Sequence, residues 1–385
     1  MSTQRPTPAI ARALLLVALS VATAGAGSAS GGRGSTIAAA LPPLLGPSTG
    51  RALYVSPNGS DSNPGTREKP LRTIQSALDR ARPGQRVLVH GGVYEESLLV
   101  TRSGTRPRPI TLAAVRGERP VVRARQRDGD DSYALEITAS YIRVKGLVLE
   151  GATGTSSANV YVENDASYVE LRGNEIRNGQ DQGIFTDPET SNVHIIGNLV
   201  HDNGAGLPGQ HQSHGMYLKG SSHLVANNVV YNHPYGFGIH IYRENIGTIV
   251  VQNTVAYSGL SGIVIGGERV ERITIRNNIF AYNARYGIAH DSDNPSDSVV
   301  DTNLLYANGW GGIEPGFEGT DLSGGNRSAP PRFVSARARD FHLTRRSPAV
   351  DRAQPAFSPR ADRDGVIRPQ GRGPDLGAFE WAQRR

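Results

Sequence analysis

The sequence predicts an all-β solenoid, in which short coils of parallel strands stack on one another. A phrase that ends in Gly or Asn just before an apolar run recurs at spacings of 28, 24, 30, 25, 25 and 25 residues. A second phrase, Gly followed by an apolar residue, recurs in phase with the first. The runs between them alternate apolar and polar residues, which is typical of strands, and no helical period interrupts them. The first phrase ends at Gly146, Asn174, Asn198, Asn228, Asn253, Asn278 and Asn303, and the second begins at Gly183, Gly215, Gly238, Gly262, Gly287 and Gly312.

The first fifty residues are predicted to lie outside the solenoid. Arg5 and Arg12 precede an apolar run over residues 13–24, and small residues follow it, so residues 1–26 are predicted to be a secretory signal peptide. The apolar run is shorter than a membrane span, and none is expected. Residues 27–50 are rich in Gly, Ser, Ala and Pro and are predicted to be a linker. The mature chain is therefore expected to be secreted, as a monomer.

The next segment is predicted to cap the first coil. Residues 73–82 are the best helical window of the chain, with Ile74, Ala77 and Leu78 on one face. A solenoid needs a cap because its first coil otherwise offers an unpaired strand edge. We therefore expect a short N-terminal capping helix.

The coils are expected to span residues 51–328, and residues 329–385 are expected to form a C-terminal cap. The Asn residues at the repeat boundaries should stack in a ladder, because their side-chain amides can pair from coil to coil. Asn also tolerates the left-handed backbone that turns a corner. The tail carries short apolar phrases of its own, such as Asp340-Phe341-His342-Leu343.

These features resemble the right-handed parallel β-helix (pectin lyase-like) superfamily, which includes pectate, alginate and chondroitin lyases and mannuronan epimerases. The stretch from Tyr54 to Val89, with Thr73-Ile74-Gln75-Ser76-Ala77, is similar to the first segment of exported bacterial β-helix proteins. The phrase Asp375-Leu376-Gly377-Ala378-Phe379-Glu380 resembles the tail of such proteins. The resemblance implies a single-stranded right-handed parallel β-helix and a carbohydrate-active protein.

The composition excludes several kinds of chemistry. The chain contains no Cys, so disulfides, zinc–thiolate sites, iron–sulfur clusters and thiol nucleophiles are excluded. Lys and Arg exceed Asp and Glu by 41 − 35 = 6, and no basic stripe is interleaved with aromatic residues. Nucleic acid is therefore not expected as a partner, and the mild excess of positive charge permits an anionic one. The resemblance implies that this partner is an acidic polysaccharide.

One face of the predicted coils collects residues that could carry chemistry. Side chains alternate along a strand, so the second and fourth residues after each Gly should point outward. Successive coils lie about 4.8 Å apart, which brings Tyr217, Lys219, His240 and Tyr242 together, with Arg243 next to them. The outward columns read Phe185, Tyr217, His240, Val264, Ala289 and Asp187, Lys219, Tyr242, Gly266, Asp291.

This patch holds the residue types that β-elimination of a uronate-containing polysaccharide requires: a base, an acid and a cation for the carboxylate. We predict Lys219 or His240 as the base, Tyr217 or Tyr242 as the acid and Arg243 as the cation. The resemblance implies a similar pair, because alginate and chondroitin lyases of this fold use a Lys and an Arg on neighbouring coils. Substrate binding is assigned to the side chains of Asp187, His214, Phe185 and His211.

Other functions remain open at this point. The patch could belong to a non-catalytic polysaccharide-binding or surface-structural solenoid. A glycoside hydrolase is a third interpretation, but it needs paired carboxylates and Asp187 stands alone on its face. The phrase from Tyr235 to His240 resembles one of mannuronan epimerases but lacks its Asp and Pro.

No cofactor and no metal is expected. The polar segment over residues 58–63 could hold calcium through its oxygen atoms, although a turn explains it equally well. A metal pair of His211 and His214 is a weak alternative, because that spacing suits a helix and the segment is predicted to be a loop. The Asp cluster of calcium-dependent pectate lyases is not found in the sequence.

Overall fold

The computed structural model describes residues 44–126, 131–206, 213–291, 295–356 and 358–383. The predicted signal peptide and most of the predicted linker lie outside these residues. Within these residues, thirty strands form three parallel sheets of 11, 9 and 10 strands that run along a right-handed β-helix. The predicted fold is confirmed. No helix among the described residues is long and apolar enough to cross a membrane.

Each sheet takes one strand from nearly every turn. The first sheet contains β1 (Ala52–Val55), β2 (Arg86–Val89), β5 (Ile110–Ala114), β8 (Ile142–Lys145), β11 (Ser167–Arg172), β14 (Ser191–Ile196), β17 (Leu224–Ala226), β20 (Ile249–Val251), β23 (Thr274–Arg276), β26 (Ser298–Asp301) and β29 (Thr320–Asp321). The second contains β4 (Leu98–Val100), β7 (Tyr133–Ile137), β10 (Ala158–Val162), β13 (Gln182–Thr186), β16 (Met216–Leu218), β19 (Ile239–Tyr242), β22 (Ile263–Gly266), β25 (Tyr286–His290) and β28 (Gly311–Ile313). The third contains β3 (Gly92–Glu95), β6 (Pro120–Arg123), β9 (Val148–Glu150), β12 (Glu175–Arg177), β15 (Leu199–His201), β18 (Val229–Tyr231), β21 (Thr254–Ala256), β24 (Ile279–Ala281), β27 (Leu304–Tyr306) and β30 (Arg327–Ser328).

The predicted Asn ladder lies at the corner between the first and third sheets. Each side-chain amide donates to the side-chain oxygen of the next Asn, at 2.9–3.1 Å. The residue before each Asn up to Asn303 has a left-handed backbone, as at Asn227 and Gln252, with φ of 57° and 53°. The interior of the solenoid is filled mainly by apolar side chains that are almost completely buried. The ladder consists of Asn174, Asn198, Asn228, Asn253, Asn278, Asn303 and Asn326.

The predicted capping helix is present as α1 (Ile74–Arg80), two residues shorter than expected at its C-terminal end. Its buried face is the predicted one, and the Thr73 hydroxyl accepts a hydrogen bond from the Ser76 amide at its N-terminus. Asp61, in the segment suggested for calcium, accepts hydrogen bonds from the Arg72 and Thr73 amides and from the Thr73 hydroxyl. These bonds attach that segment to the start of the helix.

The segment after β30 folds back along the outside of the third sheet. It begins with the antiparallel hairpin of β31 (Phe333–Ser335) and β32 (Asp340–Leu343). Phe341 and Phe379 pack with the outward side chains of Ile279 and Leu304 in one apolar cluster. The predicted cap is thus a cover along the flank of several turns, and its apolar phrases are explained by the apolar outer face that they bury.

The tail is also attached to the repeat corners by hydrogen bonds. Asn227 donates to the Ala361 carbonyl, and Gln252 donates to the Asp375 carbonyl. Arg368 and Glu380 form an ion pair at 3.1 Å, and both side chains are almost completely buried. The side chains that turn the corners therefore also bind the cover.

Candidate functional site

The outward columns predicted from the sequence exist on the second sheet. Phe185 is in register with Tyr217, Tyr217 with His240, and His240 with Val264. The residues on either side of these in each strand point into the solenoid and are fully buried, as Met216 and Leu218 are. The predicted division into inner and outer faces is confirmed.

The outward rings form an aromatic ladder that is longer than predicted. Phe185 stacks on Tyr217 with ring centroids 5.3 Å apart, and Tyr217 stacks on His240 at 4.8 Å. Tyr161 and Tyr133 continue the ladder on the two preceding turns. The alternation within β7 and β10 could have revealed these two tyrosines, but those turns lack the Gly phrase that defined the columns.

His214 and His240 form a hydrogen-bonded pair beside this ladder. The amide of Phe237 donates to Nδ1 of His214 at 3.1 Å, so the proton of neutral His214 is on Nε2. That nitrogen lies 3.0 Å from Nδ1 of His240 and donates to it. The proton of neutral His240 is therefore on its own Nε2, which has no hydrogen-bond partner in the described part of the chain. The pair thus ends in an unpaired N–H donor.

Burial keeps both rings neutral. It lowers the pKa of His240 to about 3, with a smaller contribution from the Lys219 charge, and it lowers the pKa of His214 well below its ordinary value. Three other histidines of this stretch have separate positions, and a fourth is not described. His223 donates to the Lys219 carbonyl and His233 is buried, His201 lies on the third sheet next to Asp202, and His211 falls outside the described residues.

A cavity of about 450 Å³ opens in front of the histidine pair. Three of the residues that line it were not predicted from the sequence: Asp181, Gln182 and Phe237. Each lies one or two residues before the Gly of its turn. The Gln182 amide donates to Asp181, and its carbonyl oxygen accepts the His214 backbone N–H. Burial raises the pKa of Asp181 to about 7. The cavity therefore contains a carboxyl group that titrates near neutral pH.

Lys219 directly follows β16 and is not among the residues that line the cavity. Its Nζ is 4.9 Å from the centroid of the Tyr217 ring and 5.3 Å from that of Phe185. Its carbonyl accepts hydrogen bonds from the Thr186 hydroxyl and from His223, which fix the backbone there. Burial lowers the pKa of Lys219, Asp187 opposes that shift and the Arg243 charge adds to it. Lys219 is thus a fixed, partly desolvated amine.

The remaining predicted residues surround Lys219 and the cavity. Burial raises the pKa of Tyr217 to about 12, and Tyr242 lines the cavity. Arg243 lies over the Tyr242 ring at 5.8 Å, is more than half exposed and pairs with Glu268 at 3.4 Å. The buried carboxylate of Asp187 accepts a hydrogen bond from the Tyr161 hydroxyl.

Among the described residues, no three His, Asp or Glu side chains lie close enough together to bind a metal ion. The carboxylates of Asp181 and Asp291 both line the cavity, but no third such ligand completes a site with them. This observation concerns the side chains of the described ranges.

The comparisons with known proteins place this architecture in a family. A family model described as a Pel9A-like right-handed β-helix region matches residues 53–259, more than half of the chain. The chain belongs to this Pel9A-like β-helix family. A second, more general model for right-handed β-helix regions matches residues 214–322. All predicted site residues lie within the first match, as do the residues that line the cavity apart from Asp291.

Relatives of this chain include pectate lyases. Pectate lyase L of Paenibacillus polymyxa (strain SC2) is 26% identical over 291 residues, which cover 67% of this chain and 63% of that protein. The uncharacterized protein YwoF of Bacillus subtilis (strain 168) is 34% identical over 158 residues, 38% of this chain and 32% of that protein. The chain thus spans less than two thirds of the length of each of these relatives.

Solved structures share the fold. The crystal structure of pectate lyase Pel9A aligns with a TM-score of 0.67 at 18% identity, covering 87% of this chain and 97% of that one. A rhamnogalacturonan lyase aligns with a TM-score of 0.60 at 16% identity, covering 75% and 92%. A glycoside hydrolase aligns with a TM-score of 0.54 at 11% identity, covering 72% and 92%. At these identities the likeness establishes the β-helix alone.

Proposed function

We propose that this chain is a secreted, monomeric lyase that cleaves a uronate-containing acidic polysaccharide by β-elimination on the outer face of the second sheet. Two lines of support converge on this reaction. The relatives with assigned names are pectate lyases, and the face carries a fixed amine, phenols and a cation within two turns of the solenoid. The observation that carries the proposal is the environment of Lys219.

Lys219 is proposed as the base. A base must lose its own proton before it can accept one from the carbon beside the substrate carboxylate. Burial lowers the pKa of Lys219 and so favours the neutral amine, because a charged ammonium is less stable away from water. His240 fits this role less well, because its Nδ1 accepts from His214 and its Nε2 already carries a proton. The geometry favours Lys219 over His240.

The rest of the reaction can be assigned to neighbouring groups. As Lys219 takes the proton, the bond from the next ring carbon to the glycosidic oxygen breaks, a carbon–carbon double bond forms, and the departing oxygen needs a proton. Tyr217 is proposed to donate it, since a phenol of raised pKa keeps its proton until the oxygen leaves. Tyr242 is the alternative donor.

Binding of the substrate is proposed to involve both sides of the ladder. Arg243 can neutralise the substrate carboxylate if it exchanges the carboxylate of Glu268 for that of the substrate. His240 can donate from Nε2 to a sugar oxygen, with His214 holding its ring. Phe185 and Asp187 border the position of Lys219, and His211 remains a predicted contact outside the described residues.

The test is ultraviolet absorbance of the unsaturated uronate product. The parent and the Lys219→Ala variant are incubated with alginate, pectate, glycosaminoglycans and bacterial acidic exopolysaccharides, each with chelator and with added calcium. Lys145→Ala, which removes an exposed lysine at the end of β8, is the matched control. We expect absorbance from the parent and the control but not from Lys219→Ala. Retention on an immobilised polymer without any absorbance would instead support a non-catalytic binding solenoid.

One observation favours hydrolysis as a second candidate. Asp181 and Asp291 line the same cavity, and Asp181 has the raised pKa that a general acid requires. A hydrolase would release reducing ends without an unsaturated product. In that case Asp181→Asn should abolish turnover while Lys219→Ala leaves most of it, the reverse of the lyase result.

A further inference from the structure

A second depression continues the cavity toward the C-terminal turns. It has a volume of about 250 Å³ and shares Phe237, His240 and Asp291 with the first cavity. Its floor is formed by Val264 and Ala289, which follow His240 in the outward column. Because these side chains are much smaller than the rings before them, the aromatic ladder gives way to a hollow two turns long. A polymer lying in the first cavity can continue into this one.

The far wall of the hollow is Trp310, whose side chain is the most exposed of the large hydrophobic ones in the described ranges, at 61%. Single exposed apolar residues are common on protein surfaces, but this one is held in a defined position. The Trp310 amide donates to the Arg285 carbonyl, and the Gly309 amide donates to the Asn283 carbonyl. The side-chain amide of Asn283 also donates to Asn308 at 2.8 Å. The indole is thus exposed on an ordered turn.

Arg285 supplies a cation at the indole. Its guanidinium lies 4.7 Å from the centroid of the Trp310 ring, and the Tyr286 ring meets the indole edge-on at 5.8 Å. Arg285 forms no ion pair within the ranges that the structure describes. Glu314, on the same hollow, accepts the backbone N–H of His290, and His290 donates from both ring nitrogens to carbonyls. The charged groups of the hollow other than Arg285 therefore have partners of their own.

We propose that Trp310 and Arg285 form a distal subsite that binds a uronate residue, with the sugar ring against the indole and its carboxylate on the guanidinium. The indole offers a flat apolar surface, and a guanidinium is suited to a carboxylate. This inference rests on the proposed action on an acidic polysaccharide. The hollow is smaller than the roughly 300–1,000 Å³ of pockets that take a whole drug-sized ligand, which suits one part of a longer chain.

The position of the subsite predicts a dependence on chain length. Trp310 immediately precedes β28, and Lys219 follows the strand part of β16, four turns away in the second sheet. Four turns correspond to about 19 Å along the axis. A uronate trimer cannot reach from one to the other, whereas an octamer can. Only the longer chain should therefore gain affinity from Trp310 and Arg285.

The experiment measures binding without turnover. In the Lys219→Ala background, affinities for galacturonate and mannuronate trimers and octamers are determined by calorimetry, with and without Trp310→Ala or Arg285→Ala. Val334→Ala, an exposed apolar residue on the tail hairpin, is the matched control. We expect each groove variant to weaken octamer binding about tenfold and to leave trimer binding and the control unchanged.

A direct readout uses the second tryptophan of the chain. Trp310 and Trp381 are the only two, so a Trp381→Phe variant reports Trp310 fluorescence alone. Octamers should change this emission and trimers should not. The subsite would be overturned if Trp310→Ala and its parent bound octamers with equal affinity, or if the emission did not change on saturation. It would also be overturned if the parent bound neither octamer. Octamer affinity that depends on Trp310, in a chain that cleaves no polymer, would overturn the lyase and leave the subsite standing.

Discussion

The buried carboxyl group of Asp181 predicts how the stability of this chain varies with pH. Asp181 is 3% exposed, and burial raises its pKa from 3.8 to about 7. In the unfolded chain it ionises near 3.8, so between these values the folded state binds one more proton than the unfolded state. Stability must therefore fall as pH rises through this window and level off above the folded pKa.

The magnitude follows from the size of the shift. Each pKa unit corresponds to about 1.4 kcal/mol, and two units of the window lie between pH 5 and pH 7. Ionised Asp181 should therefore reduce the free energy of unfolding by about 3 kcal/mol between pH 5 and pH 8. Asp181→Asn removes the titrating group and keeps the shape and one acceptor oxygen for Gln182.

The measurement is urea unfolding of parent and variant at pH 5, 6, 7 and 8. The difference in unfolding free energy between variant and parent should grow by about 3 kcal/mol across this range, in favour of the variant. Other groups titrate equally in both proteins and cancel. Asp79→Asn, the same substitution on the exposed side of α1, controls for the change in net charge. A difference that stays constant with pH would refute the argument and remove the basis for Asp181 as an acid.

Three further predictions concern the solenoid and its cover. Asn253→Ala leaves the backbone and amide donors of Asn228 without their acceptor inside the ladder, so unfolding free energy should fall by roughly 2–5 kcal/mol in urea titrations. Arg368→Ala leaves the buried carboxylate of Glu380 without the guanidinium that pairs with it, so the free energy of unfolding should fall by roughly 3–5 kcal/mol. Arg372→Ala, at an exposed position of the tail, should leave the free energy of unfolding unchanged. Hydrogen bonds to Asp364 and Asp340 raise the pKa of His342, so its protonated form stabilises the tail. That contribution is complete below about pH 6.5 and is lost as pH rises through the raised pKa, so His342→Gln should destabilise the chain more at pH 5.5 than at pH 8.5.

Much of the fold was predictable because each turn repeats the same requirements. A corner with a left-handed backbone followed by a buried amide favours Gly or Asn and then Asn, and the second Asn is visible in the sequence at every turn from Asn174 onward, although Gln252 and Thr302 take the first position at two of them. The strand after each Gly alternates strictly, so the faces of Phe185, Tyr217 and His240 followed from spacing alone. Parallel registry then places these residues side by side without any further information.

The missed part of the site lies where alternation ends. Asp181 and Phe237 lie just before the Gly of their turns, in a bend. Side chains in a bend do not alternate between two faces, so their directions do not follow from the spacing. The pair of His214 and His240 joins a residue before one Gly to a residue after the next, so it follows from the bend geometry and not from either column. The surface that the tail covers could not be predicted either. The apolar residues around Phe341 show that the tail packs against an apolar surface, but they do not show which sheet provides that surface.

The three outer faces of the solenoid argue for the location of the site independently of any motif. On the third sheet, the early turns are crossed by ion pairs of Arg123 and Arg177 with Glu150, and the later turns are covered by the tail. On the first sheet, tail residues 359–365 line a cavity of about 580 Å³ together with the middle turns. The groove on the second sheet is lined by no described residue of the tail, and there the chain maintains an unpaired donor on His240 and an ionisable carboxyl on Asp181. Both groups reduce stability as they stand, and Asp181 lines the groove that a polar ligand would fill.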